Sequence, residues 1–290
     1  MEKPVVTIVT PSYNMASFLE ETIQSVLSQD YAPIEYIIMD GGSTDATLEI
    51  LERYQGRLEY VSGPDEGAAQ AIARGFARGR GSILAWLSAD DTYAPHAVST
   101  AVRALAAEPD AAAVYGEAQW MDAEGRPVSR YPTGPFDPET LQFRCFLCQP
   151  ACFFRREAYA EAGGLDTKLR CAYDYELWMR MAKKGRFAAI PQVLASSRMH
   201  ASNKTLGQRR TVLHECMGTV RRHYGYVPVS WMVEYARYLL GDTGFTATKP
   251  TWMNYLLSLP LGIRGNPGQR ARFFGEWLGR IHRHLFPRRG

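Results

Sequence analysis

The opening residues alternate between short apolar runs and stretches in which apolar side chains recur every three or four positions. VVTIVT at 5–10, IEYIIM at 34–39, LEYV at 58–61 and SILAWL at 82–87 read as strands, the denser ones buried on both faces. Between the first two, Phe18, Leu19, Thr22, Ile23, Val26 and Leu27 keep helical period behind Ser17 and Glu20 at capping-box spacing, which predicts a helix over 17–29. The turn DGGSTD offers Thr44 or Asp45 as the cap of a second helix that runs to Tyr54, and 68–78 is an alanine-rich third. Strands separated by helices imply right-handed βαβ units. The expected class is α/β: an open, mostly parallel twisted sheet with helices on both faces.

Ligands of such sheets bind at the carboxyl ends of the strands. TPSYN, DGGSTD, GPDEG and SADD all fall there, so four polar loops should share one edge. After Pro109 the pattern loosens. AAAVYG reads as a strand, QPACFFRREAYAEAGGLD as strand, short helix and glycine stop, DYELWMRMAK as a helix and AAIPQVLASSRMH as a late strand. Beyond Thr205 the chain reads as mostly helical. The sheet pattern therefore ends near 205, with a helical C-terminal extension over 206–290.

Composition narrows the class. With 290 residues, 46% hydrophobic and 22% charged, the chain is neither disordered nor fibrous, and no apolar run approaches the roughly 18 residues of a bilayer crossing. The N-terminus enters a strand pattern without a secretory leader, which points to the cytoplasm. Cys145, Cys148, Cys152 and Cys171 fall close together, but a second closely spaced pair with turn glycines is missing, so free thiols are expected rather than zinc. The net charge of +3 is uneven: residues 264–290 hold seven Arg and one Glu. If 268–286 is helical, Phe274, Trp277, Leu278, Ile281 and Leu285 form an apolar stripe beside Arg272, Arg280 and Arg283. Such a basic amphipathic helix suits a peripheral seat on the inner face of an anionic membrane, or docking on the catalytic domain. No aromatic-rich basic sheet or recognition helix accompanies the charge, which argues against nucleic acid.

Asp90 and Asp91, adjacent carboxylates past a buried strand, need compensation. Either one caps the next helix while its neighbour is solvated, or a divalent cation binds both. Hard oxygen ligands suit Mg²⁺ or Mn²⁺ shared with phosphates. Asp40 ends the second strand, where it can accept a bond from a base or ribose, or from its own turn. The chain has neither GxGxxG nor GxxxxGK[ST], so a metal-bridged diphosphate is the simpler expectation.

TIVTPSYNMASFLEETIQSVLSQ, YIIMDGGSTDATLEIL, GPDEG, AWLSADDTY and QPACFFRREAYAEAGGLD with AYDYELWMR resemble, in order and spacing, the inverting glycosyltransferases of family 2, whose fold is GT-A. The resemblance covers about the first 205 residues and implies a catalytic domain at 1–205, with a nucleotide-binding half to about 115 and an acceptor half over 116–205. It implies that Thr10, Pro11 and Tyr13 line the nucleotide pocket, that Asp40 bonds the base, that Asp65 closes the pocket, and that Asp90 lies near the ribose while Asp91 holds the metal. Asp174 would be the general base and His200 a further metal contact. Arg198 and Lys204 would meet the diphosphate, and Gln149 donor or acceptor hydroxyls; Trp178 would either stack on a sugar or belong to the core. The implied partners are a nucleoside-diphosphate sugar, UDP-linked by preference, and a saccharide or lipid-linked saccharide acceptor. Three positions depart from the family pattern: Ser88 and Ala89 precede the acidic pair where relatives carry an asparagine, Tyr173 replaces the first acid before Asp174, and AIARGF lacks an asparagine. A non-catalytic nucleotide-sugar scaffold and a metal-dependent nucleotidyltransferase are the competing readings on such a crevice.

Overall fold

The computed structural model describes residues 3–242 and 249–285. They divide into two compact units, one of residues 3–136 with 146–200, the other of residues 137–145 with 201–242 and 249–285.

The first unit runs β1 (Val6–Ser12), α1 (Ala16–Leu27), β2 (Ile34–Asp40), α2 (Thr47–Arg53), β3 (Glu59–Ser62), α3 (Ala68–Arg78), β4 (Ile83–Trp86) and β5 (Thr92–Tyr93). It continues with α4 (Ala97–Ala107), β6 (Ala111–Met121), β7 (Pro127–Arg130), β8 (Cys152–Arg155), α5 (Arg156–Glu161), α6 (Tyr173–Ala182) and β9 (Arg186–Arg198). These strands form one sheet in the order β3-β2-β1-β4-β8-β6-β9-β5, with β7 beside β6. The β3-β2-β1-β4 half is parallel, as alternating helices require. Antiparallel β8 joins it to the parallel pair β6 and β9. Val6, Ile8 and Val9 of β1 are fully buried, which accounts for the unbroken apolar run in a central strand.

One long strand exceeds its sequence signal. β6 passes the end of AAAVYG because Gly116 lets it lie flush on β9; any side chain there would meet Leu194. The ladder absorbs Pro191 in a bulge, where Gly116 pairs with Ile190 and Glu117 with Val193.

The capping box expected at Ser17 does not form. Helix α1 begins at Ala16 without a side-chain cap from its own N-terminal residue. Asp45 supplies the acceptor from the DGGSTD loop, its Oδ2 3.0 Å from the Ala16 N–H and its Oδ1 3.1 Å from the Thr47 N–H. One carboxylate thus caps the first residues of both α1 and α2. Glu20 turns to Arg53 at 2.8 Å instead.

The second unit holds α7 (Lys204–Gly207), α8 (Arg209–Tyr224), α9 (Val229–Leu239), α10 (Trp252–Gly265) and α11 (Arg270–Leu285). Its core gathers Leu213, Val220, Tyr226, Val227, Met232 and Phe273. The segment 137–145 belongs with these helices because the Trp231 indole donates to the Gln142 carbonyl at 3.0 Å and the Ser230 hydroxyl to that of Phe143 at 2.9 Å. The tail stripe is split. Trp277 is buried and donates to the Tyr255 carbonyl at 2.8 Å, while Phe274 and Leu278 face outward. The side chain of Leu285 lies outside the described residues.

Candidate active site

At the carboxyl ends of β1, β2 and β3, Ser12, Asp40 and Ser62 stand in register across three strands. Asp40 is buried, and its Oδ2 accepts from the Gly42 N–H at 3.1 Å, the Ser43 N–H at 3.0 Å and the Ser62 hydroxyl at 2.6 Å. Its Oδ1 accepts from the Ser43 hydroxyl at 2.5 Å. A carboxylate offers about four lone-pair sites, so Oδ1 keeps capacity for one more donor. Gly42 permits the turn with a φ of +82°. Asp65 lies against the same loop, close enough that a Cβ on Gly41 would sit 3.1 Å from its Oδ2.

Other residues of the TPSYN turn divide by depth. Tyr13 is exposed and Pro11 half-buried at the end of β1. Thr10 is wholly buried, its hydroxyl 3.1 Å from that of Tyr36, so it packs within the sheet. Ser12 is the polar residue that sequence reasoning missed: its Oγ is buried without a hydrogen-bond partner. An orphaned hydroxyl costs about 1–3 kcal/mol and marks a place where a ligand or water is expected.

Past β4, the Asp90–Asp91 turn is held from three directions. Thr22 of α1 donates to the Ala89 carbonyl at 2.9 Å and the Asp91 carbonyl at 2.8 Å. From β9, the Arg198 N–H donates to Asp91 Oδ1 at 2.8 Å. The Arg198 guanidinium donates to the carbonyls of Asp90 (2.8 Å) and Ala123 (2.9 Å), and pairs with Glu21 at 2.5 Å. Arg198 is thus a buried brace for the acidic turn, which corrects its expected place as a diphosphate contact: its charge is spent on groups of the chain itself. His200 Nε2 lies 3.0 Å from Asp90 Oδ2, and the Phe18 ring of α1 lies between this imidazole, at 4.7 Å, and the Arg198 guanidinium, at 5.1 Å.

Burial and the neighbouring Asp90 charge push the Asp91 carboxyl well above its ordinary range, against the opposing pull of the Arg198 N–H. Two adjacent carboxylates, one of them protonation-prone, fit a divalent cation. Among the described residues, no group of three His, Cys, Asp or Glu side chains forms a ready cage. Mg²⁺ and Mn²⁺ do not require one, since one or two carboxylates with waters and substrate phosphates complete their shell.

Asp174 occupies the first turn of α6, its Oδ1 2.7 Å from the Tyr175 N–H. Tyr173, beside it, is buried, its ring 6.4 Å from that of Trp86 at the end of β4. Desolvation raises its pKa most, followed by the charges of Asp174, Cys171, Asp90 and Asp91. Gln149 reaches the same strand end, its Nε2 donating to the Trp86 carbonyl at 2.7 Å, from a 3₁₀ turn rather than the expected strand. Trp178 is wholly buried, stacked on Trp86 at 5.5 Å, and so belongs to the core instead of a sugar-facing surface. Lys204 begins α7 in the second unit. Cys148, Cys152 and Cys216 are buried, and Cys145 and Cys171 half-buried.

The family model "Glycosyl transferase family 2" matches residues 7–163, and the chain belongs to that family. An uncharacterized glycosyltransferase of Rickettsia prowazekii is 28% identical over 215 residues, 70% of this chain and 66% of that protein. The O-antigen biosynthesis protein RfbC of Myxococcus xanthus is 32% identical over 192 residues, 62% of this chain but 15% of its own length. The chain thus spans only part of the length of these relatives. Among solved structures, S. aureus TarS 1–349 in complex with UDP-GlcNAc superposes with a TM-score of 0.61 at 14% identity, covering 92% of this chain and 83% of that one. Mannosyltransferase PcManGT from Pyrobaculum calidifontis, in complex with GDP-Man and Mn²⁺, gives 0.58 at 18% identity, covering 99% and 82%. These two likenesses establish the fold.

Proposed function

We propose that the chain transfers a sugar from a nucleoside-diphosphate sugar to an acceptor hydroxyl with inversion at the anomeric carbon. The observation that carries the reading is the buried acidic pair Asp90 and Asp91 past the carboxyl end of β4, held by the Arg198 N–H and His200. Asp40, with Ser12 beside it, is assigned to the nucleotide base, Tyr13 and Pro11 to its stacking surface, and Asp65 to the closing loop. UDP is the favoured carrier because one acceptor oxygen on Asp40 suits an imide N–H, and a TarS structure holds UDP-GlcNAc. The acceptor is a glycan or lipid-linked saccharide in polysaccharide assembly, in keeping with the O-antigen relative. Residues 1–205 would carry this chemistry on the cytoplasmic side of the membrane.

Asp174 takes the acceptor's proton as the new glycosidic bond forms and the bond to the diphosphate breaks. Its hydrogen bond to the Tyr175 N–H fixes the carboxylate at a helix N-terminus, where partial positive charge stabilises the anion until it accepts the proton. Asp90 and Asp91 would hold Mg²⁺ or Mn²⁺, which when bound neutralises charge on the departing diphosphate. His200 orients Asp90, and Arg198 fixes Asp91 through the backbone N–H.

The test is a thermal-shift and calorimetric titration with UDP, GDP, dTDP and CDP, each with and without Mn²⁺, followed by analysis of the leaving group. Asp174→Asn should keep nucleotide binding while turnover falls by about 10²–10⁴. Asp91→Ala should lose metal-dependent stabilisation. Release of pyrophosphate would reassign the site to nucleotidyl transfer, and no response to any nucleotide would leave a scaffold.

A further inference from the structure

Helix α10 is built inside out. A helix on a water-exposed surface buries its apolar stripe and presents its polar residues to solvent. In α10 the buried positions are Asn254, Ser258 and Gly262, spaced four apart. Gly262 faces the ring of Phe273 of α11 so closely that no side chain could stand there. Large apolar residues of α10 point outward: Trp252 is 59% exposed, Met253 49% and Leu256 50%, with Pro260 also exposed, while Leu257, Leu259, Leu261 and Ile263 are half-buried. Phe274 and Leu278, 44% and 45% exposed, extend apolar surface onto α11, which packs on α10.

The charge around this face has one sign. From Lys249 to Arg283 the sequence holds six basic residues and one acidic residue, Glu276. Glu276 is occupied by Arg280 at 3.0 Å and the Tyr226 hydroxyl at 2.6 Å. Arg264 is exposed at the end of α10, and exposed Arg270 precedes Phe274 and Leu278 by four and eight positions, on their side of α11. A second copy of this chain would bring like charge against like. An anionic lipid surface brings the complementary charge together with a medium for the aromatic and aliphatic side chains. At 14 residues α10 is too short to cross a bilayer, and no helix among the described residues is long and apolar enough to do so.

We infer that the outward face of α10, continued by Phe274 and Leu278, seats in the interfacial layer of an anionic membrane, with Arg264 and Arg270 at the headgroups. The sequence alone pointed to a stripe on the last helix; the structure moves the apolar contact chiefly to α10, since Trp277 faces inward and Arg272 lies over the Tyr226 ring at 4.1 Å. The inference stands apart from the sugar chemistry. Its test is co-sedimentation of the full chain with phosphatidylcholine vesicles with and without phosphatidylglycerol, alongside tryptophan emission. Binding is expected only to the anionic vesicles, with a blue shift that Trp252→Phe abolishes. The double variant Trp252→Ser with Leu256→Ser should bind at least about tenfold more weakly, and Arg264→Glu with Arg270→Glu likewise. These positions are exposed, so the melting temperature and nucleotide binding should stay unchanged, which separates this outcome from failure of the donor site. Absence of sedimentation, equal binding to uncharged vesicles, or a dimer in ultracentrifugation that Trp252→Ser dissociates would each overturn it.

Discussion

Asp90 and Asp91 are neighbours in the chain but not in environment. Asp90 faces an imidazole, whereas Asp91 is buried against a backbone N–H, and its pKa is raised by desolvation and by Asp90. The native state therefore binds a proton at Asp91 more readily than the unfolded chain does. The stability linked to this group is full below the ordinary carboxylate range and is lost as pH rises through the raised value. In EDTA, Asp91→Asn keeps the acceptor for the Arg198 N–H and removes the buried charge. It should melt a few degrees above the parent at neutral pH, with the gap closing toward pH 4, measured by calorimetry across pH. Arg198 makes the opposite prediction: Arg198→Met strips a buried guanidinium from its carbonyl partners and Glu21, and should cost about 3 kcal/mol or more in urea unfolding. The acidic pair is readable in the sequence because its residue types are unusual after an apolar strand. The roles of Ser12 and Tyr173 are not, since a serine or tyrosine acquires meaning only from the neighbours that folding brings to it.

Elements show the same division. Period and burial placed β1, β2, β4 and α3 from local pattern, since each is a run of one type flanked by turn residues. The start of α1 was misread because its cap is borrowed from a loop 29 residues away. Replacing Asp45 by Ala should remove acceptors from two helix starts at once and cost about 1–2 kcal/mol in denaturant unfolding. Partial burial pushes the Asp45 carboxyl up, but hydrogen bonds from the Thr47 hydroxyl and from the Ala16 and Thr47 N–H groups together outweigh it and hold the pKa below its ordinary value. That contribution is present above the ordinary carboxylate range and fades as pH falls through the lowered value. The reach of β6 likewise depended on a partner strand: Gly116 reads as a weak point in isolation and becomes the close approach to Leu194 in the sheet. Gly116→Val should disrupt this ladder, costing about 1–3 kcal/mol by overpacking, checked by the same unfolding curve.

For the whole molecule, Asp40, Asp90, Asp91 and Asp174 all lie in the first unit, so a donor ligand should stabilise that unit. At about 100 times its dissociation constant, the correct nucleotide with Mn²⁺ should add about 2.7 kcal/mol to unfolding of the first unit, seen as an upward shift of that transition in calorimetry. What the sequence by itself determined was the order of buried strands and helices, the polar loops at the strand ends and the family those loops resemble, because periodicity and turn chemistry are local properties of the chain. Tertiary structure alone decided that Arg198 braces the acidic turn, that Trp178 belongs to the core and that α10 turns its apolar side outward. Each depends on which surfaces, distant in sequence, come to bury one another, and that choice is made by packing, hydrogen bonding and desolvation acting together.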